Sequence, residues 1–374
     1  MRVPDNLERK LKVRKEAGNY RTLKLRPGLI DFVSNDYLGL GRSKKLHESI
    51  LKKLKNVTNG STGSRLLSGN NKHILNTEQF LAKIFKSEKS LLFDSGYMAN
   101  LAVFSTIPQK GDTILYDELA HACIKDGIRL SLASKFSFKH NDLIYLEKKL
   151  KKSKGNIYIA VESIYSMDGD ECPLPELIEL AGKYSARVIV DEAHSTGIYG
   201  EFGSGLCSEL GLSDQVFTRI HTFGKAMGVH GAAVVGGIEL HSFLINFARP
   251  FIYTTAPSPY SVNAVESTFE YLSRNGSLQN QIKNKVSFFK QQYNHACQNS
   301  KLTKIDSKHP IQSILIPGNQ NAIKASERLQ AAGFDVRPIL SPTVPTEKER
   351  IRICLHTYNT EDEISGLIHS LARL

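Results

Sequence analysis

The chain reads as an α/β protein, with a large domain built on a mostly parallel sheet flanked by helices and a smaller α+β domain at the C-terminal end. Three observations carry that reading. From Leu91 to Val190, short apolar runs alternate with helix-length amphipathic segments over short links, the pattern of repeated strand–helix–strand units. Polar residues suited to chemistry recur just after the apolar runs, at the carboxyl ends of strands where such sheets bind ligands. Finally, one lysine, Lys225, stands between two apolar runs with no charged neighbour between Arg219 and Glu239.

Each element follows from local patterning. Residues 1–30 are polar and basic, with Leu7, Leu11 and Val13 too sparse for a core helix, so an arm lying on another surface is expected, carrying Arg21. Residues 31–40 read as a short strand entering a turn, after which Leu46, Ile50, Leu51 and Leu54 share one helical face. Gly60 to Gly69 is a glycine- and hydroxyl-rich loop able to turn N–H groups toward an anion. A helix near 74–86 precedes a strand at 91–93. Strand and helix then alternate at 113–116, about 121 onward, 135–138, 143–152, 156–161, 175–184 and 187–190.

Strands at 216–221 and 232–235 are expected to meet through a tight turn holding Lys225. A helix to about 247 leads to an extended stretch at 249–257, closed by proline and carrying Thr254 and Thr255. Helices run on to about 300 with a break at Asn275-Gly276. A strand at 311–316, a helix to about 332, strands near 336 and 351–355, and a helix with Ile364, Leu367, Ile368 and Leu371 in register complete the chain. The resulting division is an N-terminal arm at 1–44, a large domain at 45–275 and a small C-terminal domain at 276–374, without internal repeats.

With 374 residues, 41% hydrophobic and 23% charged, the chain has the makeup of a globular protein with ample core. No apolar run reaches the length of a membrane span, and Met1-Arg2-Val3-Pro4-Asp5 opens no signal peptide, so a cytoplasmic location without a membrane partner is expected. Cys123, Cys172, Cys207, Cys297 and Cys354 lack paired spacing, which argues against a disulfide framework and against a metal site. The net charge of +12 points to acidic partners: nucleic acid, coenzyme A derivatives or an acidic carrier protein. Much of that excess lies in runs such as Lys148-Lys149-Leu150-Lys151-Lys152-Ser153-Lys154, which read as a solvated helix end.

The motifs narrow the chemistry. A lysine of a surface turn usually sits among charges, whereas Lys225 lies in Thr222-Phe223-Gly224-Lys225-Ala226-Met227-Gly228; burial there would lower its pKa and make its amine a nucleophile. Asp94-Ser95-Gly96-Tyr97-Met98-Ala99-Asn100 sets a Ser-Gly turn between a strand and a helix N-terminus, whose free N–H groups and dipole favour phosphate; Ser95 serves equally as an ordinary helix cap. Asp117 and His121, Glu162 and Ser166, and Asp191 and His194 follow successive strands. Asp191-Glu192-Ala193-His194 also suits a DEAH-type nucleotide hydrolase. That alternative needs an upstream Gly-x-x-x-x-Gly-Lys-Ser/Thr loop, yet the Gly-Lys pairs are Gly182-Lys183, in an expected helix, and Gly224-Lys225, followed by Ala226. Nucleotide hydrolysis and nucleic-acid binding are therefore disfavoured. A desolvated lysine, a phosphate cradle, a strand-end carboxylate and an imidazole able to stack on a ring together meet the demands of pyridoxal phosphate. Lys225 would bond its aldehyde, Asp191 would keep its pyridine nitrogen protonated, and Ser95-Gly96-Tyr97 with Thr222 would hold its phosphate.

Ser34-Asn35-Asp36-Tyr37-Leu38-Gly39-Leu40, Ser95-Gly96-Tyr97-Met98-Ala99-Asn100, Ser166-Met167-Asp168-Gly169-Asp170, Asp191-Glu192-Ala193-His194-Ser195-Thr196-Gly197 and Thr222-Phe223-Gly224-Lys225 resemble the signatures of the α-oxoamine synthase family of fold-type I pyridoxal phosphate enzymes, nearly end to end. The resemblance implies a C-acyltransferase that condenses an amino acid with an acyl-CoA or acyl carrier protein thioester and releases carbon dioxide. It places His121 over the cofactor ring, Ser166 and His194 on its phenolic side, and Ser95, Gly96, Tyr97 and Thr222 around the cofactor. Thr254 and Thr255 match hydroxyls that reach the phosphate of a neighbouring subunit, so the resemblance implies a homodimer with shared sites. Arg352 matches a grip on the amino acid carboxylate; Arg21, Asn35 and Thr343 match substrate-side positions. Arg21, the short chain and Ser341-Pro342-Thr343-Val344-Pro345 point within the family to the member that joins L-alanine to a pimeloyl thioester in biotin synthesis. The shared motifs leave 2-amino-3-ketobutyrate CoA ligase, serine palmitoyltransferase and 5-aminolevulinate synthase open, together with a catalytically idle relative that binds a partner; the intact Lys225, Asp191 and His194 argue against the last.

Overall fold

The structure, a computed structural model, describes residues 3–23, 25, 28–54, 57–298, 300 and 302–374. In chain order the elements are α1 (Asp5–Glu16), β1 (Ile30–Asp31), α2 (Lys44–Lys53), α3 (Lys72–Ile84), β2 (Lys89–Phe93), α4 (Gly96–Thr106), β3 (Thr113–Asp117), α5 (Ala122–Leu130), β4 (Ser134–Phe138) and α6 (Leu143–Leu150). Next come β5 (Ile157–Glu162), α7 (Leu174–Lys183), β6 (Arg187–Asp191), α8 (Leu206–Glu209), β7 (Thr218–Thr222), β8 (Ala232–Gly236), α9 (Ile238–Phe247), α10 (Arg249–Ile252), α11 (Pro259–Arg274) and α12 (Ser277–Ala296). The last are β9 (Thr303–Lys304), β10 (Ile311–Leu315), α13 (Asn319–Ala331), β11 (Phe334–Asp335), β12 (Arg337–Ile339), β13 (Arg350–Cys354) and α14 (Glu361–Leu371).

Two compact units result: a large one of Asn35–Ser166 with Glu171–Asn280, and a small one of Met1–Ser34, Met167–Asp170 and Gln281–Leu374. The large unit carries a seven-stranded sheet in the order β2-β8-β7-β6-β5-β3-β4. Its strands are parallel except β8, which runs antiparallel to both neighbours. Alternation along each strand supplies two apolar faces. Leu91, Phe93, Ile114, Ala160, Ile189, Ile220 and Val234 join one core with residues of α4, α5, α9 and α10. The intervening Leu92, Leu115, Ile159, Val161, Val188, Val190 and Val235 are buried as well, as a sheet covered on both sides requires. This is the doubly wound arrangement that the alternation of strands and helices implies.

The small unit holds an antiparallel sheet, β12-β13-β10-β9, and a two-residue parallel pair of β1 with β11. Residues 167–170 are fastened within this unit: Ser307 Oγ donates to the Gly169 carbonyl at 2.7 Å, Ser313 Oγ to the Met167 carbonyl at 2.6 Å, and Asp168 pairs with Arg350.

Three local expectations are corrected. The polar start of the chain contains a regular helix, α1, that buries nothing; Asp5 and Glu8 at its first turn and Arg14 and Lys15 at its last complement the helix dipole, so charge rather than a core supports it. The stretch expected as extended at 249–257 begins with the helical turn α10, because Pro250 falls in a first turn, where a missing N–H costs nothing. And β7 and β8 are joined by the longer loop 223–231 rather than a tight turn.

Candidate active site

The loop after β7 is pinned at both ends and in its middle. Phe223 N–H donates to the Gly231 carbonyl at 2.9 Å, Val229 N–H to the Phe223 carbonyl at 3.0 Å and Gly228 N–H to the Lys225 carbonyl at 2.8 Å. Gly228 adopts φ +66°, and a Cβ there would stand 2.2 Å from the Gly41 nitrogen, so the turn closes only with glycine. Phe223, Ala226 and Met227 are buried around the half-buried Lys225. Its Nζ lies 3.0 Å from His194 Nε2, and His194 Nδ1 lies 2.8 Å from the hydroxyl of the fully buried Tyr37, which donates to Asn35 Oδ1 at 3.0 Å.

Asp191 ends β6 with its carboxylate buried and fixed: Asn100 Nδ2, one turn into α4, donates to Oδ2 at 2.7 Å, and Ala193 N–H donates to Oδ1 at 2.8 Å. Glu162 stands opposite it in the β5–β6 register. Burial, and then the neighbouring Asp191 charge, push the Glu162 carboxyl up to about 8, so at neutral pH Glu162 favours its protonated form. Ser166 is buried four residues beyond Glu162.

His121 is the N-cap of α5, its Nδ1 accepting from Cys123 N–H at 3.2 Å. The protein crowded around its ring lowers its pKa by desolvation, and the Lys225 charge lowers it further, while Asp191 acts in the opposite sense. The neutral imidazole is thereby favoured.

At the start of α4, Ser95 Oγ accepts from Met98 N–H at 3.3 Å as a helix cap. A Cβ on Gly96 would stand 2.1 Å from Thr222 Oγ1, so the first residue of α4 and the last of β7 meet as only glycine permits, with the α4 N–H groups beside the Thr222 hydroxyl. Tyr97 is half exposed, its hydroxyl donating to Asp126. Thr254 is half-buried, lining a small cavity with Arg65, Asp94 and Met98, and Thr255 is exposed.

The large unit thus gathers Lys225, His194, Asp191, Gly96 and Thr222, joined by Asn100, Tyr37 and Glu162. Arg21, Thr343 and Arg352 belong to the small unit, where Arg21 Nη2 donates to Thr343 Oγ1 at 3.4 Å and Arg352 sits on β13 facing Ser313 and Arg337 in register. Sequence reasoning did not single out Asn100 or Tyr37. The signal for Asn100 was its place one helical turn after Gly96; for Tyr37 there was only its membership of a short motif.

The arrangement fits an aromatic nitrogen heterocycle bearing an aldehyde and a phosphate. A half-buried amine lies against an imidazole, a fixed buried carboxylate can face a ring nitrogen, and a helix N-terminus closed by glycine against a threonine hydroxyl can cradle a phosphate. On a seven-stranded sheet of this order, such a site defines a fold-type I pyridoxal phosphate transferase. The pattern of the aminotransferase class I and II family matches residues 27–371, and the chain belongs to that family, within its α-oxoamine synthases. It is similar to the 8-amino-7-oxononanoate synthase of Emericella nidulans, 37% identical over 98% of this chain and 95% of that enzyme. The crystal structure of 8-amino-7-oxononanoate synthase from Francisella tularensis superposes with a TM-score of 0.79 at 30% identity, over 92% of this chain and 97% of that one. Serine palmitoyltransferase from Sphingomonas wittichii shares the fold, with a TM-score of 0.88 at 24% identity over 99% and 96% of the two chains.

Proposed function

We propose that the chain catalyses the decarboxylative condensation of L-alanine with a pimeloyl thioester, giving 8-amino-7-oxononanoate, carbon dioxide and the free thiol carrier in biotin synthesis. The observation that carries this reading is the intact Lys225–His194 and Asp191–Asn100 geometry in a chain similar over nearly its whole length to proteins named for that product. Pyridoxal phosphate supplies an aldehyde that takes up the amino group and a ring that withdraws electrons from the α-carbon.

The chain's own residues do the rest. Lys225 would hold the aldehyde, and its amine, once released by the incoming amino group, would take up the α-proton and later give it back. Asp191, its carboxylate fixed by Asn100 and the Ala193 N–H, would face the ring nitrogen and favour a proton there. The α4 N-terminus, Gly96 and Thr222 would bind the phosphate, with Ser95 shaping the turn and Tyr97 beside it. His121, whose neutral form desolvation favours, would stack on the ring, and Ser166 and His194 would hydrogen-bond its phenolic side. Asn35, Arg21, Thr343 and Arg352 serve the substrates, Arg352 by pairing with the amino acid carboxylate. The working form is a cytoplasmic homodimer in which Thr254 and Thr255 reach the partner's phosphate, with an N-terminal arm, a large cofactor domain and a small C-terminal domain.

The test is to supply the purified holoenzyme with alanine, glycine or serine and with pimeloyl-CoA or pimeloyl carrier protein, and to measure released thiol. Alanine with a pimeloyl thioester should give the fastest release. Faster turnover with glycine or serine would assign the chain to another α-oxoamine synthase.

A further inference from the structure

The hydrogen-bond chain from Asn35 to Lys225 has a direction. A phenol carries one proton, and Tyr37 donates it to Asn35 Oδ1 at 3.0 Å. The same phenolic oxygen lies 2.8 Å from His194 Nδ1, so that nitrogen is the donor of their contact. A neutral imidazole has one N–H, which leaves a lone pair on Nε2, 3.0 Å from Lys225 Nζ. An amine N–H fills that contact. The opposite tautomer would donate to the amine nitrogen and engage its lone pair, making it a poorer nucleophile and base.

We propose that Tyr37 is a positioning residue: its hydroxyl fixes His194 as the Nδ1–H tautomer, so that before the cofactor's phenolic oxygen takes up Nε2, His194 accepts from Lys225 and the lone pair of the amine is turned away from the imidazole toward the incoming aldehyde carbon. Tyr37 and His194 are 1% and 4% exposed, so bulk water does not substitute for either partner. Phenylalanine at position 37 would keep the ring and its packing but remove the acceptor for the Nδ1–H. A buried N–H that loses its acceptor is destabilised, and the imidazole proton then shifts toward Nε2, where the lysine amine can accept it. The consequence for turnover rests on the function proposed above; the tautomer does not.

The experiment is nitrogen-15 NMR on the full chain labelled at histidine and freed of cofactor, with the His194 ring signals identified by their absence from His194→Gln. The unchanged chain should show His194 protonated at Nδ1 and bare at Nε2, and Tyr37→Phe should shift the proton toward Nε2. In the same samples, covalent uptake of pyridoxal phosphate, followed by visible absorbance, should slow roughly five- to tenfold in Tyr37→Phe, the worth of one hydrogen bond. A Tyr37 that merely fills space would lower the melting temperature on substitution and leave the tautomer where it was. An Nε2–H in the unchanged chain overturns the proposal even where Tyr37→Phe cannot be folded, as does an unmoved tautomer in that variant. If the tautomer is as stated and alanine with pimeloyl thioester releases no thiol, the proposed reaction fails and the positioning role stands.

Discussion

Two carboxylates side by side at the ends of β5 and β6 divide their roles by surroundings. Asp191 accepts two hydrogen bonds that fix its carboxylate; Glu162 is buried beside it, and burial and then the Asp191 charge favour its protonated form. Because the folded value of Glu162 lies near 8, above its ordinary 4.5, the stability it contributes is fully present below about pH 4.5 and is lost as pH rises toward and through 8. Glu162→Gln mimics the protonated form and has no such dependence. Comparing melting temperatures from about pH 5 to about pH 9, the difference should move in favour of the variant up to about pH 8 and then level off. Parallel profiles would show that Glu162 is ionised in the folded chain. Lys225, Asp191 and His194 could be read from sequence because each stands beside an apolar run that announces a strand end. The raised value of Glu162 could not, since it depends on how deeply the sheet buries it and on Asp191 standing opposite it on the neighbouring strand.

At the scale of elements, the strands of the large unit were legible because a two-faced buried sheet needs apolar residues at nearly every position, and β5, β6 and β8 have them. The misjudged elements lack such a core signal: α1 buries no residue, and α10 is a single turn led by a proline. The junction of α4 with β7 makes a sharp prediction. Gly96→Ala places a methyl carbon where Thr222 Oγ1 lies 2.1 Å away, so the helix start must withdraw from the strand end. Its affinity for pyridoxal phosphate, titrated by absorbance, should fall at least about tenfold. Ser95→Ala removes only the cap and should cost about 1 kcal/mol of stability, read by urea unfolding. Equal cofactor affinity in Gly96→Ala and the unchanged chain would remove this junction from the phosphate site.

For the molecule as a whole, the net charge of +12 matters more than any single lysine. A basic surface speeds encounter with an acidic carrier, and salt screens that attraction over about 10 Å at 0.1 M. The Michaelis constant for pimeloyl carrier protein should therefore rise with ionic strength, while that for alanine stays nearly constant. A carrier constant indifferent to salt would separate the surface charge from substrate delivery. The division into units also belongs to this scale: residues 167–170 follow β5 in sequence yet are tied to Ser307, Ser313 and Arg350 of the small unit, which no local pattern announces.

The sequence by itself determined the class of sheet, the order of its strands and helices, and the lysine, carboxylate and imidazole placed at strand ends. Those follow from periodicity and from residue types close together in the chain, where local physics dominates. Only the tertiary structure decided which atoms meet. The approach of Asn100 to Asp191, of Gly96 to Thr222 and of Tyr37 to His194 spans 91, 126 and 157 positions of chain. Contacts at such separations are fixed by the packing of whole elements, and it is these contacts that orient the side chains of the site.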